Sequence, residues 1–65
     1  MSNNALPYIV TVDGISIGQF PTLVEGEVAA HVAASRGISP SNLGSKLVEI
    51  RNLDLGYQVV GKFYV

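Results

Sequence analysis

TLVEGEVAAHVAASRG, residues Thr22 to Gly37, is the one segment of this 65-residue chain whose period, length and two ends all read as a single α-helix. Thr22 and Glu25 have the spacing of a capping box, in which hydroxyl and carboxylate each satisfy a backbone N–H left free at a helix start. At the other end Gly37 stands where a left-handed C-cap is wanted, and Arg36 is favourably placed at the negative end of the helix dipole. At 100° per residue the segment has two low-polarity faces instead of one apolar stripe. Val24, Val28 and Val32 line one, with Ala29 beside them; Leu23, Gly26, Ala30, Ala33 and Ala34 fall on roughly the opposite side. Glu25 and Arg36 occupy one flank between the faces, Glu27 and His31 the other.

One of these faces must cover a sheet, because a chain this short offers the helix nothing else to bury against. The other is left for solvent or a partner. Gly26, Ala30 and Ala34 recur every four residues, a spacing that lets two helix backbones approach closely. That assigns Leu23, Gly26, Ala30, Ala33 and Ala34 to partner binding, and on that assignment Ala30→Glu yields monomer without unfolding the domain.

Working outward towards the N-terminus, Phe20-Pro21 ends a strand, since the residue before proline is held extended. Asp13-Gly14 is a two-residue hairpin turn between β-rich runs, Tyr8 to Val12 and Ile15 to Phe20. The turn sets Val12 opposite Ile15, Val10 opposite Ile17 and Tyr8 opposite Gln19. Tyr8, Val10, Val12, Ile15 and Ile17 then form the core face, and Ile9, Thr11, Ser16, Gly18 and Phe20 the reverse. Residues 1–6 are small and polar and are expected to fray. Pro7 opens the first strand.

Beyond the helix, Ser39 before Pro40 signals a single further helical turn, with Ile38 and Leu43 anchored in the core. Lys46 to Leu53 reads as the third strand and Tyr57 to Val65 as the fourth, joined by a loop around Asp54, Leu55 and Gly56. Val48 and Ile50 face inward, as do Tyr57, Val59 and Phe63; Gly61 marks a bulge or a close backbone approach. The expected fold is a single α+β domain over residues 1–65, β-β-α-β-β, with one helix packed on a mainly antiparallel four-stranded sheet whose strand order is not readable. The C-terminus belongs to that sheet, so deleting it should destabilise the fold.

Composition bounds the function classes. A chain of 65 residues buries only about 60% of the surface its unfolded form exposes. There is no cysteine to add a disulfide or a thiolate metal site, and the single histidine makes an all-protein zinc centre improbable. The chain is 48% hydrophobic and 14% charged, against roughly 25% charged in ordinary domains, so part of its surface is expected to be covered by another chain. A net charge of −1 supplies no strong field for nucleic acid. No apolar run is long enough for a membrane span, and the start MSNNALPY lacks a secretory leader; a cytoplasmic protein is expected.

The candidates for chemistry are few. His31 lies one turn from Glu27, but a general base also needs a pocket and a second catalytic group. No serine sits in a nucleophile elbow, and the glycines form no phosphate loop. Asp13, Glu25 and Asp54 are accounted for by turn, cap and loop, and the remaining Glu27 and Glu49 do not pair. No enzyme, cofactor or metal is expected. A second interaction surface is expected on the outward sheet face, where Ile9, Phe20, Leu47 and Val60 join Arg51, Lys62 and Tyr64. Basic and aromatic groups together also suit single-stranded nucleic acid, though four basic residues with Glu49 among them neutralise few phosphates.

Ile17 to Thr22, IGQFPT, resembles a stretch of plant-type DNA-binding modules. Those have three strands before the helix and a base-reading sheet rich in Arg and Trp; this chain has two strands and lacks that chemistry, so it is assigned to no family. In size and lack of cysteine it resembles the accessory proteins of bacteria and their phages. The expectation is a non-enzymatic protein-binding module, a homodimeric accessory or inhibitory subunit able to grip a second protein, with weak nucleic-acid binding by the outward sheet face as the alternative.

Overall fold

In the computed structural model, which describes residues 5–36 and 45–65, β-branched and aromatic residues build four strands around one helix. The order is β1 (Tyr8–Val12), β2 (Ile15–Phe20), α1 (Leu23–Ser35), β3 (Leu47–Asn52), a 3₁₀ turn (Leu53–Leu55) and β4 (Gln58–Tyr64). The strands form one antiparallel sheet in the order β2-β1-β3-β4, with α1 against β1, β2 and β3 on one face. The β-β-α-β-β α+β arrangement is thus as expected. The expected C-cap at Gly37, the turn at Ser39-Pro40 and the anchors Ile38 and Leu43 lie outside the described residues, as does most of the segment expected to fray.

Each end of the local structure has an identifiable cause. Asp13 and Gly14 take φ of 49° and 83°, the left-handed pair that a type I′ hairpin demands. Asp13 does more than turn the chain. Its Oδ1 accepts from Leu47 N–H at 2.8 Å and its own N–H donates to Leu47 C=O at 2.7 Å, so the hairpin tip is fastened to the first residue of β3. Thr22 is the N-cap of α1, extended at φ −133°, and its hydroxyl accepts from Glu25 N–H at 3.1 Å. Arg36 closes the other end, its N–H bonding to Val32 and Ala33 carbonyls. At the C-terminus Lys46 and Val65 exchange two backbone hydrogen bonds, 2.8 and 3.0 Å, which makes the last residues part of the sheet.

The core is thin. Val10, Val12, Val48 and Ile50 from the two central strands are fully buried under Ala30 of the helix, with Tyr8, Ile17, Phe20, Leu23, Phe63 and Val65 packed around them. Alternation along β1 and β3 places Ile9, Thr11, Leu47, Glu49 and Arg51 on the opposite, outer face.

Both outer strands carry a bulge, and the bulges account for two corrections. Val12 does face Ile15, but Ile17 is an extra residue, so Val10 pairs with Gly18 and Tyr8 with Phe20 instead of Gln19. Gly18 sits at φ 135°, a region L side chains rarely enter, which lets the bulge form there. Phe20, expected outward, is thereby turned inward beside Tyr8 and packs on the core. In β4, Ile50 pairs with Gly61 and Arg51 with Val59, leaving Val60 as the extra residue; the irregularity falls where Gly61 signalled it. Val48 and Ile50 are buried as expected, but of Tyr57, Val59 and Phe63, expected inward from the last strand, Phe63 alone packs on the core. Val59 is exposed opposite Arg51, and Tyr57 precedes the strand at φ 65° with its ring exposed.

Candidate interaction surface

The two low-polarity faces of α1 are resolved by burial, and in the sense opposite to the expected one. Gly26, Ala30 and Ala33 are buried against the sheet, Leu23 packs on the core beside them, and Ala34 is half-buried. The assignment of Leu23, Gly26, Ala30, Ala33 and Ala34 to partner binding is therefore corrected: this face is covered by the chain's own sheet. The reason is space. A Cβ added at Gly26 would come within 3.0 Å of Val10 Cγ2 and 3.8 Å of Ile50 and Phe20, so the helix backbone rests close on the side chains of the sheet. Small residues permit that approach and valines would prevent it. Ala30→Glu, instead of splitting a dimer, would force a carboxylate into the core.

Valines consequently point outward. Val24, Val28 and Val32 are 65%, 57% and 42% exposed, one helical turn apart on the solvent face. An ordinary surface helix has the reverse pattern, large apolar residues inward and polar ones out. The stripe does not stand alone. Between α1 and the edge strand β2 run two open hollows of about 510 and 330 Å³ that meet at Ala29. Phe20, Pro21, Val24 and Val28 line the first, Ile17, Val32 and Ala33 the second. Glu25 borders the groove at one end and Arg36 at the other. On the far flank His31 stacks on Phe63 of β4, with ring centroids 5.5 Å apart and planes at 28°. That histidine is engaged in packing over the sheet margin.

The outer sheet face brings together the rest of the residues expected there. Cross-strand neighbours are Ile9 with Arg51, Glu49 with Lys62, and Leu47 with Tyr64; Val60 stands exposed at the β4 bulge, and Phe20 is absent from this face. Arg51 Nη2 lies 3.4 Å from Glu49 Oε1, and Lys62 is the register partner of Glu49 on the next strand, so an acid stands between the two basic residues of this face. Exposed Tyr64 adds an aromatic surface at one end. Among the described residues no cluster of His, Asp or Glu has the makings of a metal site, and no helix is long and apolar enough to cross a membrane.

Sequence reasoning found the valine stripe and misassigned it. The signal that separates the faces was Gly26: an interior helical glycine costs about 1 kcal/mol relative to alanine, which is accepted where a backbone must come close to something within the fold. Comparison with family models, with characterised proteins and with solved structures found no match to this chain.

Proposed function

We propose that this chain is a non-enzymatic protein–protein interaction module, a homodimeric cytoplasmic subunit of accessory or inhibitory type, with the solvent face of α1 as its contact surface. The observation that supports this reading is the outward stripe of Val24, Val28 and Val32, continuous with the apolar groove along β2. Burying a valine side chain is worth about 1.5–3 kcal/mol, and a domain with so small a core gains proportionately from a second copy. The outer sheet face stays open in such an assembly and is the surface left for a second protein. Sedimentation equilibrium over a wide concentration range tests the reading: a reversible monomer–dimer equilibrium is expected, and a folded monomer at every concentration overturns it.

A further inference from the structure

Resting on that reading, we propose that the occupant of the α1–β2 groove is α1 of a second copy, running antiparallel, with Glu25 of each chain facing Arg36 of the other. Two observations lead to this arrangement. The first is the polarity of the groove. Glu25 and Arg36 stand on the same flank of the helix, eleven positions or about three turns apart, one at each end of the apolar strip. A parallel second helix would set glutamate on glutamate and arginine on arginine. An antiparallel one related by a two-fold axis matches both ends at once with opposite charges, and only a self-complementary surface does so.

Shape follows from the same register. When Glu25 meets Arg36 of the second copy, Val32 falls opposite Ala29, so a large side chain lies over a small one at both symmetry-related positions. Ala29 is where the two hollows join, which gives the incoming Val32 a depression to enter.

The second observation concerns the alternatives within the fold. The other place for a second copy to add is a sheet edge, but β2 and β4, the two edges, are both bulged. A bulge bends the strand and interrupts its ladder, the usual protection of an edge against pairing. The far flank of α1 is turned towards β4 through His31 and Phe63. The Glu25–Arg36 flank beside β2 is the open side.

The test is a charge exchange read by sedimentation equilibrium at low ionic strength on the full chain, with circular dichroism as the check of folding. E25R presents two arginines and R36E two glutamates, so each alone should self-associate roughly tenfold or more weakly than the parent. Mixed in equal amounts, the two should recover the parent affinity as a heterodimer, because both ends are again matched. Val28→Lys, at an exposed position that leaves the core untouched, should also weaken the dimer. A parent dimer that E25R, R36E and Val28→Lys leave unchanged overturns this arrangement and leaves the interaction-module reading standing on another surface. Weakened single variants that do not recover on mixing also overturn it. A parent that is monomeric throughout overturns both.

Discussion

Gly26 and Asp13 are residues whose local chemistry has consequences for the fold beyond their own segment. Replacing a helical glycine by alanine ordinarily gains about 1 kcal/mol. Here the new methyl would meet Val10 Cγ2 at 3.0 Å, and Val10 is fully buried and stiff about χ1, so it has nowhere to move. Overpacking of this kind costs about 1–3 kcal/mol, which exceeds the propensity gain. Gly26→Ala should therefore lower stability by about 1 kcal/mol in urea denaturation; a gain would mean the helix can lift from the sheet. Asp13 combines a positive-φ turn position with an acceptor for Leu47 N–H. Asp13→Asn keeps an Oδ1 and suits the turn equally well, so it should be near neutral. Asp13→Ala loses both and should cost about 2 kcal/mol, and equal stability of the two variants would show that the bond to Leu47 contributes nothing.

Elements show how local signals and tertiary context share the outcome. The β2 bulge depends on Gly18 at φ 135°, and it is this bulge that turns Phe20 onto the core. Gly18→Ala should cost about 1–2 kcal/mol through backbone strain and should also loosen Phe20, visible as altered ring-proton shifts in NMR spectra. Unchanged shifts together with unchanged stability would mean that the bulge holds without glycine. Sequence made the hairpin and the helix start legible because Asp13-Gly14 and Thr22/Glu25 act over a few residues and need no knowledge of neighbours. Bulges were legible only in part. Gly61 marked one, while Gly18 at the same relation to the other passed as an ordinary strand residue, and one unpaired residue was enough to reverse the side on which Phe20 lies. The orientation of α1 was not legible from its wheel, which had two faces of similar polarity; the distance between helix and sheet decided it, and that distance is a property of the packed pair.

Among the described residues only four large side chains are fully buried, all from the two central strands, while the valines of α1 lie outside. If a second copy covers the helix face, stability becomes a function of concentration. The melting temperature should rise by roughly 10 °C between concentrations well below and well above the dissociation constant, while that of Val28→Lys should stay constant. A parent melting curve independent of concentration would contradict dimerisation. The clasp between Asp13 and Leu47 has a further consequence, in time instead of energy. It joins positions 34 residues apart, across the same β1–β3 seam that unites the two local hairpins. Closing so long a loop is slow compared with forming either hairpin, so the docking of β3 on β1 should limit the folding rate. Truncations at Val12 and Val48, which face each other across that seam, should then slow refolding, whereas changes within β2 should chiefly speed unfolding.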